Sequence, residues 1–336
     1  MEMVKWTKIL GFHNLRKSVN LLKSRTGREL GALTFRGKVK IDGTNAGVRL
    51  PPKGDVLGVQ AQSRTQDINP GSDNAAFAAW VAENEEYFEN MREKLDLTTV
   101  IFGEWCGQGV QKGGAIHQIG RKVFAVFCVE IHQEDKEVRS IVDPNLLTAL
   151  LPDHPDVYVI PWEGDDITID FLDAESLEQA VEELNKRVSA VEAEDPFVKS
   201  TFDKSGVGEG LVFYPTVTGV LGGAANREEM TKMMFKAKGE KHRVVKQKKA
   251  VVVDVAVLAS VDAFVETFVT ENRCQQALTE ACGGEFDRKF TGKFLQWMAK
   301  DVLSESADEL EASGLTWKQV AKKVQEVSRN WFFQNA

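Results

Sequence analysis

The sequence predicts an α+β protein, in which antiparallel sheets with flanking helices are followed by a small all-helical region. Over roughly the first 240 residues, short apolar runs with alternating polar positions are separated by turn signals, a pattern typical of antiparallel strands. Beyond about residue 252, turn signals become rare and apolar residues recur at helical spacing. We therefore expect two domains, at 1–245 and 246–336.

The same periods predict the individual elements. The segments read as strands are 32–41, 46–50, 56–64, 98–105, 121–131, 210–215 and 230–238. Helical spacing covers 75–95 and 174–192. In the second domain the last helix is the clearest, because Thr316 and Gln319 form a T-x-x-Q capping box at its start. One face of that helix carries Val320, Val324, Val327 and Trp331.

Composition limits the class of protein. With 336 residues, the chain is long enough for two domains that each bury a core. No apolar run approaches the roughly 20 residues of a membrane span, and the N-terminal stretch lacks the apolar segment of a secretory signal. The four cysteines show no C-x-x-C spacing, so neither a zinc site nor a redox motif is indicated. We expect a cytoplasmic protein without membrane association, located in the host cytoplasm if it is viral.

The segment KVKIDGTNAG is the first that suggests chemistry. Alternation along a strand places Lys38, Lys40 and Asp42 on one face, and Val39 and Ile41 on the other. A strand face with two lysines and an aspartate is either a solvated surface or a site for an anion. The segment alone does not decide between these, because Lys-x-Asp-Gly is a weak pattern.

Further segments carry polar groups that an apolar strand does not require. In chain order, the phrases KIDGTN, SRT, FGEWCGQGVQK, EGLVFYP and FKAK resemble the motifs of the covalent nucleotidyltransferase superfamily. The resemblance is greatest to the RNA ligase 2 family, which includes the phage double-stranded RNA ligase and the RNA-editing ligases of trypanosomes. It spans essentially the whole chain. It implies a nucleotidyltransferase (ATP-grasp-like ligase) domain at 1–245 and a helical C-terminal domain at 246–336.

The resemblance assigns catalytic roles to four residues. Lys40 is implied to attack the α-phosphorus of ATP, so that a lysyl-AMP phosphoramidate forms and pyrophosphate leaves. The amine attacks only when deprotonated, and we expect Lys236, Lys238 and a bound Mg²⁺ to lower its pKa. Lys236 and Lys238 are also expected to hold the α-phosphate while charge develops there. Glu209 is expected to bind the metal, so the implied cofactors are ATP and Mg²⁺ or Mn²⁺.

Further residues are expected to contact the AMP moiety. Glu104 is implied to accept hydrogen bonds from the ribose hydroxyls, and the ring of Phe124 to stack on adenine. Ile41 and Asn45 are expected to line the same pocket. Each residue also has a structural interpretation. Phe124 lies in a run typical of any buried strand, Asn45 is a common turn residue, and Glu104 is equally compatible with an exposed charge at a strand end.

RNA contacts are predicted for Arg64 and for a basic cluster. The planar guanidinium of Arg64 is expected to grip a phosphate or a terminal ribose. The stretch FKAKGEKHRVVKQKK holds seven Lys and Arg residues and one acid, in a chain whose net charge is −8. Within it, Lys241, Arg243 and Lys246 are expected to track the RNA backbone, although such runs are often only solvated faces. The expected partners are ATP and nicked duplex RNA, and the protein is expected to be a monomer.

The leading hypothesis is an ATP-dependent RNA ligase that joins 3′-OH and 5′-phosphate RNA ends, above all at nicks in duplex RNA. After Lys40 is adenylylated, AMP passes to the RNA 5′-phosphate, and the 3′-OH then displaces AMP. A DNA ligase or a GTP-using capping enzyme is the nearest alternative, but both would carry an OB-type barrel after the last lysine motif. The alternative from another class is a non-catalytic RNA-binding protein that retains the fold.

Two positions depart from the pattern of the phage RNA ligase. Asp42 stands where that enzyme has histidine, although aspartate is the choice of the wider superfamily. Tyr214 stands where that enzyme has lysine, so one cation near the phosphates is missing from the motif. The five histidines show no ligand spacing and no nucleophile–His–acid order, so no role is predicted for them.

Overall fold

The computed structural model describes residues 3–12, 14–15, 19, 31–111, 113–134, 136–216, 225–238, 261–307, 310 and 315–335. The chain divides into two compact units, Met1–Lys241 and His242–Ala336. The predicted domain boundary at 245/246 lies outside the described residues, and so do Lys241, Arg243 and Lys246.

The first unit is built on two β-sheets. Its strands are β1 (Leu10–Gly11), β2 (Ala32–Val39), β3 (Thr44–Leu50), β4 (Gln60–Ser63), β5 (Asp67–Ile68), β6 (Thr98–Gly107), β7 (Lys122–His132), β8 (Arg139–Ile141), β9 (Val157–Val159), β10 (Trp162–Asp170), β11 (Gly210–Pro215), β12 (Ala225–Asn226) and β13 (Phe235–Lys238). The five-stranded sheet has the order β1-β13-β11-β2-β10. The eight-stranded sheet follows the path β12-β8-β7-β6-β3-β4-β5, with β9 paired to β7. Paired strands are antiparallel, except β1 with β13 and β7 with β9.

Helices flank these sheets. They are α1 (Phe77–Glu83), α2 (Glu85–Leu95), α3 (Pro144–Leu150), α4 (Ala174–Ala193), α5 (Pro196–Phe202), α6 (Arg227–Met233) and a short 3₁₀ helix (Ala115–Gln118). Three of them begin at an aspartate whose side chain accepts backbone N–H groups of the first turn. These N-cap residues are Asp143, Asp173 and Asp195.

The eight-stranded sheet is buried on both faces at β6. Along β6, Phe102 and Cys106 lie in a first core, which also contains residues of the five-stranded sheet and of α4. Ile101 and Trp105 lie in a second core, together with apolar residues of α1 and α2. Because β6 has an apolar environment on each side, its sequence is a nearly continuous apolar run without clean alternation.

The predicted α+β class is confirmed, and three predicted elements are wrong in detail. Of the strand predicted at 56–64, only Gln60–Ser63 (β4) forms. The helical segment 75–95 is divided at Asn84, whose φ of −111° and ψ of 26° end α1 before α2 begins. The predicted strand 230–238 starts as part of α6, and only its last residues form β13. The methionines at 230, 233 and 234 are buried, at the spacing that suits a helix better than a strand.

The second unit is helical, as predicted. It contains α7 (Val261–Phe268), α8 (Glu271–Cys282), a 3₁₀ turn (Arg288–Phe290), α9 (Thr291–Glu305) and α10 (Trp317–Asn335). Its core includes Phe264, Phe294 and Val320. At the start of α10, the backbone N–H of Thr316 donates to Oε1 of Gln319 (2.8 Å), which is one half of the predicted capping box. Among the described residues, no helix has the length and apolar character to cross a membrane.

Candidate active site

Lys40 follows β2 directly and continues its hydrogen-bond ladder. The backbone N–H of Lys40 donates to the carbonyl oxygen of Gly210 (2.8 Å), and Gly210 is in turn paired with Lys238 of β13. Residues that are paired across strands lie on the same face, so Lys40 and Lys238 flank Gly210. Gly210 has a φ of +143°, and a Cβ there would collide with the carbonyl oxygen of Ala237. Glycine therefore allows β11 to pair closely with β13 beside Lys238.

Glu209 joins the two lysines. Its Oε2 accepts a hydrogen bond from Nζ of Lys40 (2.5 Å), and its Oε1 lies 2.9 Å from Nζ of Lys238. The carboxylate is 7% exposed, whereas the lysine side chains are 25% and 27% exposed. Burial works to raise the pKa of Glu209, but the positive charges of Lys238 and Lys40 outweigh it and lower the pKa to about 2. Three residues that the sequence analysis selected thus form one ionic cluster.

The pKa of Lys40 is shifted in the direction opposite to the prediction. Burial works to lower it, but the negative charges of Glu209, Glu104 and Asp42 outweigh burial and hold the pKa above its ordinary value. Lys238, which was expected to lower it, is itself paired with Glu209. Lys40 is therefore an ammonium group in this conformation, and it must lose a proton before it can act as a nucleophile.

Residues that are neighbours across the five-stranded sheet form rows, and Lys40, Gly210 and Lys238 form the first one. A second row lies beside it. Lys236 of β13, Val212 of β11, Lys38 of β2 and Trp162 of β10 are in register, and so they share one face. Lys40 lies two residues after Lys38, next to this row. The face therefore carries lysines in two adjacent rows, of which Lys40, Lys236 and Lys238 are partly exposed and suit an anionic ligand such as a phosphate chain.

Lys38 is the enclosed member of this second row. Its side chain is 1% exposed, and its Nζ donates to the carbonyl oxygen of Phe127 (3.1 Å). The same nitrogen lies 4.9 Å from the ring centroid of Trp162 and 5.6 Å from that of Tyr214. Burial lowers the pKa of Lys38 to about 7. Lys38 therefore lies beside the ring of Tyr214, the residue that stands where the phage RNA ligase has a lysine.

The eight-stranded sheet contributes Glu104. This residue of β6 is paired with Asn45 of β3 and with Ala125 of β7. Burial raises the pKa of Glu104 to about 8, while the positive charges of Lys40 and Arg64 act to lower it. These electrostatic effects place both cations near the carboxyl group. The structure thus brings Asn45, Glu104 and Arg64 to the region of Lys40.

The turn after Lys40 packs closely on β6. A Cβ at Gly43 would lie 2.5 Å from the carbonyl oxygen of Trp105 and 2.8 Å from Cγ of Glu104. Real Cβ atoms essentially never come so close, so the turn requires glycine here. This close contact holds the turn after Lys40 against Glu104.

Two residues that the sequence analysis did not select contact the same turn. Nε2 of His117 lies 3.2 Å from Oδ2 of Asp42, and Nε2 of Gln111 donates to the carbonyl oxygen of Gly43 (3.3 Å). Both belong to the glycine-rich segment after β6. A single histidine in such a segment, 75 positions from its partner, carries no periodic signal that would have revealed it.

Phe124 does not join this cluster. Its side chain has no exposed surface, and it lies in the second core, where its ring centroid is 5.1 Å from that of Phe77. The next residue, Ala125, lies in the first core. In this conformation Phe124 presents no ring face to a base, and its stacking on adenine stays a prediction. Ile41 is likewise buried, in the first core, at 3% exposure.

Glu209 is the residue predicted to bind a divalent metal. Both of its oxygens contact lysine ammonium groups. Within the part of the chain that the structure describes, no group of three or more His, Cys, Asp or Glu residues is arranged to hold a metal ion. Mg²⁺ is commonly bound by one or two carboxylates together with substrate phosphates and water. Glu209 therefore fits a metal that arrives with a nucleotide.

Comparison with known sequences gives one family. A family model described as RNA ligase matches residues 34–238, which is more than half of the chain and extends from before Lys40 to Lys238. No curated protein is significantly similar to the chain in sequence.

Solved structures of an RNA ligase from Naegleria gruberi are similar to this chain. The ligase with pyrophosphate is 20% identical, with a TM-score of 0.43, over 71% of this chain and 57% of that one. An arginine-to-alanine variant with ATP and Mn is 19% identical, with a TM-score of 0.42, over 71% of this chain and 57% of that one. A lysine-to-methionine variant with AMP and Mn is 18% identical, with a TM-score of 0.41, over 72% of this chain and 59% of that one. The chain thus covers less than two thirds of the length of these ligases.

Proposed function

Because the chain belongs to the RNA ligase family, we propose that it is an ATP-dependent RNA ligase that forms a lysyl-AMP intermediate and seals nicks in duplex RNA. We assign it to the RNA ligase 2 branch. The observation that carries the proposal is the carboxylate of Glu209, which Lys40 and Lys238 share. A protein that only binds RNA has no need of a partly exposed lysine amine in such a cluster.

In the first step Lys40 is the nucleophile. The amine loses a proton, and its nitrogen forms a bond to the α-phosphorus of ATP. The bond from that phosphorus to the bridging oxygen breaks, and pyrophosphate leaves with the electron pair. The nitrogen then loses a second proton, which gives a phosphoramidate without positive charge on nitrogen. A divalent metal that arrives with the nucleotide supplies charge neutralisation, and Glu209 is the residue that would hold it.

Lys236 and Lys238 stabilise the charge that develops on the α-phosphoryl group. Both lie on β13, on the face of the sheet that carries Lys40. A strand holds such cations in place before the reaction, so little reorganisation is needed when the charge develops. Once the nitrogen of Lys40 is no longer an ammonium, Glu209 retains Lys238 as its partner.

Glu104 and Asn45 hold the nucleoside. Burial raises the pKa of the Glu104 carboxyl group to about 8. The group is proposed to accept hydrogen bonds from the ribose hydroxyls. Asn45 is its neighbour across the β3–β6 pair and offers an amide donor and acceptor.

RNA is the second substrate in the proposal. Arg64, whose charge acts on Glu104, is proposed to hold a phosphate of the RNA end. The first domain, 1–245, is proposed to carry the adenylyltransferase chemistry, and the helical domain, 246–336, to bind duplex RNA. A-form RNA is recognised by shape and by contacts to phosphates and 2′-hydroxyls over a wide surface, which a second domain enlarges. Lys241, Arg243 and Lys246 remain predicted RNA contacts, and the protein is proposed to act as a monomer inside the cell.

Two measurements test this function. The full chain is incubated with ATP and Mg²⁺ or Mn²⁺, and its intact mass is recorded. The expected result is a gain of one AMP with ATP and no adduct with GTP. The absence of an adduct with ATP would contradict the ligase, and an adduct with GTP would favour a capping enzyme.

Sealing is then measured on nicked duplexes with ribose or deoxyribose at each end. An RNA nick with a 5′-phosphate should be sealed, whereas the matched nick with a 5′-OH should not. Preferential joining of DNA ends, or of single-stranded RNA ends, would contradict the proposed substrate.

A further inference from the structure

The contact between His117 and Asp42 has no place in the steps above. We propose that His117 is a positioning residue, which fixes Asp42 and through it the turn that carries Lys40, so that the lysine amine is aligned with the α-phosphorus. The inference rests on the proposed lysyl-AMP chemistry, because it concerns how the nucleophile of that reaction is held.

The imidazole of His117 is held from two sides. Nε2 lies 3.2 Å from Oδ2 of Asp42, and Nδ1 lies 3.4 Å from the carbonyl oxygen of Gly107. The His117 side chain is only 9% exposed, whereas that of Asp42 is 27% exposed. The ring is thus a fixed element, and the more exposed carboxylate is the group that it restrains.

The chemistry of these neighbours sets the direction of the hydrogen bonds. A carboxylate oxygen can only accept, so Nε2 of His117 is the donor in the contact with Asp42. A hydrogen bond to a charged acceptor is stronger than a neutral one, and it holds the carboxylate in one orientation.

The helix that bears His117 also contacts the segment leading to Glu209. The backbone N–H of Ala115, at the start of the 3₁₀ helix, donates to the carbonyl oxygen of Val207 (2.9 Å). Val207 lies two residues before Glu209, and Asp42 lies two residues after Lys40. One short helix therefore ties together the two segments whose side chains form the Lys40–Glu209 pair.

This arrangement separates the steps of the reaction. Lysine adenylylation forms a bond between the nitrogen of Lys40 and phosphorus, and so it depends on the alignment of the amine. In phosphodiester formation, the RNA 3′-oxygen bonds to the 5′-phosphorus of adenylylated RNA, and AMP leaves. The amine forms no bond in that last step. Removal of His117 should therefore slow the first step selectively.

Three variants test the inference. His117→Ala removes the donor, and His117→Gln restores an amide N–H near the position of Nε2. His132→Ala is the matched control, because Nε2 of His132 contacts a carboxylate oxygen of Glu130 at 3.3 Å in another part of the unit. Single-turnover formation of the AMP adduct is measured as a function of ATP concentration, and sealing of pre-adenylylated RNA is measured in parallel.

His117→Ala should lower the maximal adenylylation rate about 10- to 100-fold, the scale on which misalignment slows a reaction, with a change in the apparent ATP affinity below about threefold. Sealing of pre-adenylylated RNA should stay within about twofold. His117→Gln should recover most of the lost rate, and His132→Ala should behave as wild type. In an Asp42→Ala background, His117→Ala should add little, because two residues that act as a unit are not additive.

Other outcomes overturn the inference. If both steps fall in parallel, or if Gln fails to restore the rate although the protein stays folded, then His117 does not act by positioning the amine. An unchanged adenylylation rate in His117→Ala has the same meaning. These outcomes all require that wild type forms the adduct, so they differ from a failure of the proposed function, in which wild type itself forms none.

Discussion

Lys38 and Lys40 lie two residues apart at the end of β2, on one face of the five-stranded sheet, yet their environments are opposite. Lys38 is enclosed by two aromatic rings and a carbonyl oxygen, and burial lowers its pKa to about 7. Lys40 contacts the carboxylate of Glu209, and nearby negative charges hold its pKa above the ordinary value. A lysine nucleophile is usually recognised by a lowered pKa, and that criterion alone would select Lys38.

Accessibility to the substrate favours Lys40 instead. The side chain of Lys38 is 1% exposed, so a triphosphate cannot approach its nitrogen without displacing the rings of Trp162 and Tyr214. The side chain of Lys40 is 25% exposed, and its carboxylate partner can be exchanged for other charges when ligands bind. The comparison teaches that a lowered pKa marks a buried amine, while a nucleophile also needs a path to its substrate.

Lys40→Ala should have the largest effect, because it removes the proposed nucleophile. The variant should form no AMP adduct, because Lys38 remains enclosed, and it should keep its fold, since a partly exposed lysine contributes little packing. Intact mass after incubation with ATP measures the adduct. Pre-adenylylated RNA should restore some sealing, and an adduct that persists in Lys40→Ala would make Lys38 the candidate nucleophile.

Removal of the shared carboxylate comes next in size. Glu209→Ala leaves the ammonium groups of Lys40 and Lys238 facing each other, and it removes the residue proposed to hold the metal. We expect the single-turnover adenylylation rate to fall by at least about 100-fold, the usual scale for loss of a preorganised electrostatic group. RNA affinity should change little. Glu178→Ala, at an exposed position of α4, is the control, and equal rates in both variants would refute the role of Glu209.

Lys38→Met tests whether the buried lysine affects stability rather than chemistry. Adduct formation should persist, whereas the free energy of unfolding should rise by about 1–4 kcal/mol near neutral pH, as when well-packed apolar side chains replace buried charges. Between pH about 7 and 10.5, the unfolded chain binds more protons at this lysine than the folded chain does, so stability rises with pH. The increase in the free energy of unfolding that Lys38→Met gives is therefore complete below pH about 7 and disappears above pH about 10.5.

Denaturant unfolding across pH measures the difference between Lys38→Met and wild type. Lys53→Met, at a side chain that is 62% exposed, is the control. A loss of adduct in a folded Lys38→Met protein would show that Lys38 takes part in the chemistry.

The smallest expected effect lies at the RNA end of the site. Arg64→Ala should raise the KM for nicked RNA about tenfold, the cost of one charge-assisted contact, and leave the rate of adduct formation unchanged. Steady-state sealing and intact mass measure the two quantities. Arg139→Ala, at an exposed position of β8, serves as the control. A slower adenylylation of Arg64→Ala would place this arginine at the nucleotide instead.

The sequence predicted the ionic cluster better than it predicted the elements around it. Glu104 lies within an apolar strand, and Lys40, Glu209 and Lys238 lie at the ends of such strands, where a charged group is a strong local signal. The face of Phe124 was not predictable in the same way. Because β7 is apolar on both sides, its pattern does not tell which side meets the site.

Contacts between distant segments were also beyond the sequence. His117 belongs to no repeat or motif, and its partner lies 75 positions away, so only the packing of β6 against the turn at Gly43 brings them together. The reversed pKa shift of Lys40 has a similar cause. The sequence shows nearby lysines, but the pairing of Lys238 with Glu209 is a property of the fold.

The most direct test of the central claim is to locate the AMP group within the wild-type protein. After incubation with ATP and Mg²⁺, the protein is digested under conditions that preserve the phosphoramidate, and the modified lysine is identified by tandem mass spectrometry. The segment KVKIDGTNAG contains both candidates, so fragment ions between Lys38 and Lys40 distinguish them. The account predicts AMP on Lys40 alone, and AMP on Lys38, or on a lysine outside this segment, would contradict it.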